Sequence, residues 1–250
     1  MRPVIVLSSA LFALNAPMVA FAQPSGKWPP DSLVNVQVIP KSTPIPQVVG
    51  QMRNFTSALG VRCSYCHVGE ESQSLEQYDL ASDARRSKRV AREMMRMVQD
   101  INRRLDSLPD GRGSPEATVT CATCHRGVAR PVPLFSIMTE TAVATSADSA
   151  LRVYDALRAR YYGRDAYDFS ESALNIAAFR TGQRGKHDEA LALLRYNEQL
   201  YPGSSGMYVF RGNIMLMKAD TNAAAAAFRE AIRRDTSNAE AKGRLRAINR

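Results

Sequence analysis

Apolar residues recur every three or four positions in the first part of the chain, which is the spacing of one face of an α-helix. One such stripe consists of Val48, Met52, Phe55 and Leu59. The pattern predicts a helix over residues 47–60. Gly60 is placed to end it, because glycine readily adopts the left-handed backbone conformation of a helix C-terminus.

A second apolar stripe lies further along the chain. Its members are Val90, Met94, Met97, Ile101 and Leu105. They predict a longer helix over residues 83–108, with Ser82 or Asp83 as the N-terminal cap. The sequence Pro109-Asp110-Gly111 then breaks the pattern, because proline and glycine both interrupt helices.

The C-terminal part of the chain contains an internal repeat. Aligning residues 171–204 with residues 205–238 gives a period of 34, with small or apolar residues at equivalent positions. The aligned pairs include Ala178 with Gly212, Ala190 with Ala224, and Leu194 with Phe228. This period is typical of tetratricopeptide repeats, which are stacked pairs of helices. An ordinary helical bundle is the alternative, because two repeats are few for a repeat array.

The remaining segments connect these predicted helices. Residues 23–46 are rich in proline and predict an extended arm, and residues 68–82 predict a polar loop. Residues 134–149 form a linker or the start of another helix. Further helices are predicted over residues 148–162 and 239–250. The fold class is therefore all-α: a domain of helix-turn units over residues 23–135, then an array of tetratricopeptide-like helical hairpins over residues 136–250.

The first 22 residues have the features of a secretory signal peptide. Arg2 supplies the positive charge, apolar residues follow it, and Ala20-Phe21-Ala22 fits the small-residue cleavage pattern. The apolar run is too short and too interrupted for a membrane span, which needs about 20 apolar residues. We therefore expect a periplasmic protein that is exported with cleavage after Ala22 and is located free or at the periphery of the inner membrane.

The chain is basic, with 33 Lys and Arg residues against 24 Asp and Glu residues. The basic residues are spread along helical segments and alternate with acidic ones, which is typical of solvated helix surfaces. An excess of positive charge also favours association with an acidic redox partner. Export and the lack of a basic block argue against nucleic acid as a partner.

Two five-residue stretches carry the chemistry of the chain. They are Cys63-Ser64-Tyr65-Cys66-His67 and Cys121-Ala122-Thr123-Cys124-His125. Each has the form C-x-x-C-H, in which two cysteines attach a c-type haem through thioether bonds and the histidine binds its iron. The predicted cofactors are therefore two covalently attached haem c groups, held by Cys63, Cys66, Cys121 and Cys124, with His67 and His125 as iron ligands.

Disulfides and zinc are the alternatives for these cysteines. Export favours disulfides in general, but a histidine directly after both pairs is not a feature of structural disulfides. The gap between Cys66 and Cys121 is far longer than the roughly 15–20 residues of common double C-x-x-C zinc sites. Both alternatives are therefore disfavoured.

The second axial ligand of each iron must come from the rest of the chain. One histidine, His187, remains in a polar stretch predicted as a solvated turn, so methionine is the better candidate. A thioether ligand stabilises ferrous iron and raises the reduction potential, as an electron carrier requires. Met52 is the candidate for the first haem. Met94 and Met97 share a stripe and are both candidates for the second, whereas Met95 is rotated by about 100° from it.

The sequences of three segments resemble the cytochrome c subunit of photosynthetic reaction centres. These segments are Met52–His67, Ala91–Asn102 and Val119–Gly127, within a resemblance that covers residues 47–133. In that family each haem unit is a helix, a turn and C-x-x-C-H, and the helix supplies a methionine to the iron. The resemblance implies Met94, the first methionine of its motif, as the second distal ligand. The family typically carries four haems, whereas this chain has two motifs.

The resemblance implies an electron-transfer protein rather than an enzyme. The expected function is that of a periplasmic dihaem cytochrome that re-reduces photo-oxidised pigment, with a membrane photosynthetic reaction centre or a soluble cytochrome as its redox partner. An electron carrier of a respiratory chain is the first alternative. A dihaem peroxidase is the second, although methionine at both irons would close the position that peroxide needs. The repeat-like tail is expected to dock a protein partner.

Overall fold

A computed structural model describes residues 27–109, 111–113 and 116–248 of the chain. The predicted signal peptide, residues 1–22, lies outside the described residues. Over those ranges the protein forms α-helices and short 3-10 turns but no β-strand, which confirms the all-α class. A single β-bridge joins Val68 and Asp79. No helix among the described residues has the length and apolar character required to cross a membrane.

The helices α1 to α10 are, in chain order, Ile45–Leu59, Arg86–Asp106, Cys121–His125, Leu134–Ala144, Ala147–Tyr161, Glu171–Gln183, His187–Leu200, Gly206–Met217, Thr221–Arg234 and Ala239–Ile248. The chain divides into two compact units. The first comprises Met1–Thr56 and Val61–Val119, and the second comprises Ser57–Gly60 and Thr120–Arg250.

The first unit contains most of α1, all of α2 and the loop between them. Both helices predicted from apolar periodicity are present, but α2 begins at Arg86 with Arg85 as its cap residue. The predicted cap at Ser82 or Asp83 is therefore wrong. The physical reason is that the Asp83 carboxylate is engaged by an ion pair with Arg92 at 2.9 Å, so it does not accept from the backbone at the start of the helix.

The outer face of α2 carries large apolar side chains. Val90 is 37% exposed and Met97 is 45% exposed, although both belong to the predicted core stripe. Met94, Ile101 and Leu105 on the same stripe are half-buried. Other elements of the first unit therefore cover this stripe only in part.

The second unit is built from helix pairs around one apolar core. Helix α6 packs on α7, α8 packs on α9, and α4 packs on both α5 and α6. Large, fully buried members of this core are Leu134, Met138, Tyr154, Leu174, Leu193, Leu194, Met207, Ile214 and Phe228. Segment 134–149, left open as linker or helix, is helical apart from the break between α4 and α5.

The spacing of the paired helices agrees with the repeat seen in the sequence. Helix α8 starts 35 residues after α6, and α9 starts 34 residues after α7. Gly212 of α8 faces Phe228 of α9 so closely that a Cβ atom at Gly212 would lie 2.5 Å from the ring. A small residue is thus required where these two helices cross. Assignment of the pairs to the tetratricopeptide family stays a prediction.

Candidate functional site

The first C-x-x-C-H motif follows α1 through a tight turn. Gly60 adopts a left-handed conformation with φ +64°, and the Val61 amide donates to the Thr56 carbonyl at 3.1 Å. Cys63 then begins a 3-10 turn that ends at Tyr65. The Cys63 carbonyl accepts from the amides of Cys66 at 3.2 Å and His67 at 2.9 Å, so both thiols and the imidazole belong to one compact bend.

Within the second unit, the end of α1 lies against the turn that follows the second motif. The Gly127 amide donates to the Ala58 carbonyl at 2.8 Å. A Cβ atom at Gly60 would lie 2.0 Å from the carbonyl oxygen of Gly127. Glycine at position 60 is therefore required twice, for its backbone conformation and for this close approach.

Gly60→Ala is expected to destabilise the protein by about 2 kcal/mol or more, because the strained conformation and the clash add together. Denaturant unfolding of the two proteins measures the difference. Gly50→Ala is the matched control, since Gly50 lies inside α1 with open space around its Cβ position. That control is expected to be neutral or to stabilise by up to about 1 kcal/mol. Equal stability of Gly60→Ala and the parent protein would contradict the packing of this turn.

The second motif forms the one-turn helix α3. Thr120 is the cap residue at its start, and the backbone amide of Thr120 donates to the Thr123 hydroxyl oxygen at 3.0 Å. Arg126 ends the helix in a left-handed conformation with φ 49°. The Nδ1 atom of His125 lies 2.9 Å from the Val128 carbonyl oxygen. A carbonyl can only accept, so Nδ1 carries a proton, and Nε2 is the ring nitrogen left for another partner.

His67 differs from His125 in its hydrogen bonding. Its Nδ1 atom is buried and makes no hydrogen bond to a described residue. Burial lowers the pKa of His67, the charge of Lys88 lowers it further, and the backbone carbonyl of Leu80 acts in the opposite direction. The neutral imidazole, which is the form that binds metals, is thus favoured.

The cysteines present thiols beside each histidine. All four are free rather than joined in disulfides. Burial raises the pKa of Cys66 and of Cys121. No group of three or more His, Cys, Asp or Glu side chains is placed to hold a metal ion within residues 27–109, 111–113 and 116–248. The zinc alternative therefore finds no four-ligand site there.

These observations fit a covalently bound c-type haem at each motif. Cys63 and Cys66 with His67, and Cys121 and Cys124 with His125, supply two thiols and one imidazole from a single turn of chain. His125 engages Nδ1 with a carbonyl, which leaves its Nε2 for iron, and His67 has an unpartnered Nδ1.

The proposed distal ligands lie on the two predicted helices. Met52 is in α1 and Met94 is in α2, and both side chains are half-buried. Met95 is also half-buried, whereas Met97 is exposed. The roles of Met52 and Met94 stay predictions. His187, expected in a solvated turn, is instead the first residue of α7 and is partly buried.

A group of charged side chains lies next to the first motif and was not predicted from the sequence. Lys88 and Arg92 extend from the first turns of α2, and Arg92 is buried. Arg92 bonds the Asn35 carbonyl at 2.9 Å and pairs with Asp83, and it holds the pKa of that carboxyl well below its ordinary value. The sequence feature that could have indicated this group is the i, i+4 spacing of the two cations. By itself, this spacing is typical of an exposed helix surface.

Comparison with known proteins relates the chain to one family. The model of the photosynthetic reaction centre cytochrome c subunit family matches residues 22–159. Cytochrome c-554 of Chloroflexus aurantiacus is 38% identical over 94 residues, which are 37% of this chain and 20% of that protein. The photosynthetic reaction center cytochrome c subunit of Rubrivivax gelatinosus is 32% identical over 91 residues, 33% of this chain and 23% of that protein.

These comparisons differ in extent from the resemblance seen in the sequence. The family match runs past residue 133 and includes α4 and most of α5. The aligned part of the chain spans about a fifth of the length of the two curated relatives.

Proposed function

The chain belongs to the photosynthetic reaction centre cytochrome c subunit family, and from that premise we propose that it is a periplasmic dihaem electron carrier. Membership of this family indicates electron transfer by a c-type cytochrome with covalent haem. The count of two haems is the finer proposal. The observation that carries it is the repeated arrangement of two free thiols and one imidazole in a single turn, once at residues 63–67 and once at residues 121–125.

Each haem, when bound, supplies a site that takes up and releases one electron as its iron alternates between the ferric and ferrous states. The chain attaches it through Cys63 and Cys66, or through Cys121 and Cys124. It also holds the proximal imidazole in the form that binds iron.

Met52 and Met94 are proposed to complete the two iron sites. Both lie on helices whose apolar stripes were predicted to face haem, and both are only half-buried by protein. Val90 and Met97, on the same stripe as Met94, are exposed. Their exposure supports the proposal that a haem covers this face of α2. Thioether ligands would raise the reduction potentials.

The partners are proposed from charge and from the family. The net charge of +9 favours an acidic redox partner. A membrane photosynthetic reaction centre is the first candidate, because a relative is named for its place in one. A soluble cytochrome is the second candidate. The paired helices of the tail are proposed to bind a protein partner, as helical repeats do along their concave face.

The proposed function is tested by expressing the full chain, including its predicted export signal, in a bacterium that attaches haem c in the periplasm. The mature periplasmic protein is expected to carry a mass increase of two haems and to show two one-electron steps in a redox titration. A protein with one haem or none, or one that stays in the cytoplasm, would contradict the proposal. High-spin spectra with rapid peroxide turnover would favour the peroxidase instead.

A further inference from the structure

The ammonium group of Lys88 binds the loop that follows the first motif. Its Nζ atom donates to the carbonyl oxygens of Leu80, Ala81 and Ser82 at 2.9, 3.0 and 2.9 Å. An ammonium group has three N–H donors and here meets three acceptors. The Lys88 side chain is 12% exposed, so most of it is removed from water.

The loop held by Lys88 is tied to His67. The backbone amide of Asp79 donates to the carbonyl of Val68, the residue after His67, at 2.9 Å. Ser87, the residue before Lys88, donates from its hydroxyl to the Tyr65 carbonyl inside the motif. Lys88 therefore lies between a helix turn and a loop that both adjoin the first motif.

Cations outnumber carboxylates around this loop. Lys88, Arg89 and Arg92 are the cations; Arg92 pairs with Asp83 at 2.9 Å, and Arg89 donates to the carbonyls of Asp83 and Ala84. Asp83 also lies 3.4 Å from Lys88, and the Asp79 carboxylate accepts from the backbone amides of Ala81 and Ser82. Three cations thus adjoin two carboxylates. Removal of the Lys88 charge would lower the net charge beside the first motif by one.

The second motif is arranged differently. His125 is oriented by the Val128 carbonyl, which accepts from His125 alone within the part of the chain that the structure describes. No lysine or arginine in that part donates to the Val128 carbonyl. The two proximal histidines are therefore held differently although their motifs have the same form.

We propose that Lys88 is a positioning residue that raises the reduction potential of the first haem, an inference that rests on the proposed two-haem function. Reduction adds one electron to the ferric iron and lowers the charge of the site by one, so a nearby cation favours the ferrous state.

Lys88→Met tests this proposal because it keeps the length of the side chain and removes the charge. Redox titration of the full-length dihaem protein should show one haem shifted by roughly tenfold in its ferrous-to-ferric equilibrium, which is about 59 mV lower for a one-electron couple. The other haem should be unchanged. Repeating the substitution in a full-length background with Cys121→Ser and Cys124→Ser, which leaves the first attachment site, assigns the shift to the first haem.

Two control variants separate charge from structure. Lys88→Arg keeps the cation and should retain most of the potential. Lys41→Met makes the same chemical change at an exposed position of the first unit and should leave both potentials unchanged. Unshifted potentials in Lys88→Met, or equal shifts in Lys88→Arg or Lys41→Met, would overturn the proposal. Failure of the parent protein to bind two haems would instead reject the proposed function. Measuring the haem content and helicity of every variant distinguishes a shifted potential from lost haem or misfolding.

Discussion

Replacing Cys63 and Cys66 together by alanine is expected to remove one covalent haem, and replacing Cys121 and Cys124 is expected to remove the other. Each double variant should retain about half of the haem absorbance of the parent protein, and the variant with all four replacements should retain none. The physical reason is that the thioether bonds are the only covalent links of a c-type haem to its protein. Denaturing mass spectrometry counts the haems that remain attached.

The control for these variants changes the positions between the cysteines. Ser64→Ala and Ala122→Ser keep both cysteines and the histidine of each motif, so both haems should remain. A double cysteine variant that keeps both haems would show that its motif is not an attachment site. Loss of both haems from either variant would show that attachment at one motif depends on the other, against the independent turns in which the two motifs lie.

Met52→Ala and Met94→Ala are each expected to remove part of the sulfur-to-iron charge-transfer band near the red edge of the ferric spectrum. Each should also lower the potential of one haem, by on the order of 0.1 V, because the loss of a thioether ligand removes its preference for ferrous iron. The measurements are the ferric absorption spectrum and a redox titration of proteins that carry both haems.

Neighbouring residues provide the controls. Gln51→Ala adjoins Met52 on α1 and should leave the band intact. Met97→Ala decides between the two methionines of the α2 stripe, and Met95→Ala changes a side chain rotated away from it. If Met97→Ala removes part of the band and Met94→Ala does not, Met97 is the ligand. An intact band in both Met52→Ala and Met94→Ala would reject both assignments.

Local pattern was sufficient to predict most of the longer helices of this protein, but not the one-turn helix α3, and it left α4 open as linker or helix. The stripes around Met52 and Met94 placed α1 and α2 to within a few residues, because an amphipathic helix repeats its apolar positions every 3.6 residues wherever one face is covered. The helical pairs of the tail followed from the 34-residue period. The start of α2 was missed because Asp83, a good capping residue by type, is bound by Arg92.

The sequence by itself determined the all-α class, both C-x-x-C-H motifs and the family, because these depend on residue type and on spacing along the chain. Only the tertiary structure revealed the surroundings of the two proximal histidines. His125 bonds a carbonyl three residues away, whereas the loop that follows His67 is bound by Lys88 from α2. Contacts between residues far apart in the chain leave no periodic signal. The electrostatics of two identical motifs could therefore be distinguished only after folding had brought Lys88 and Arg92 to one of them.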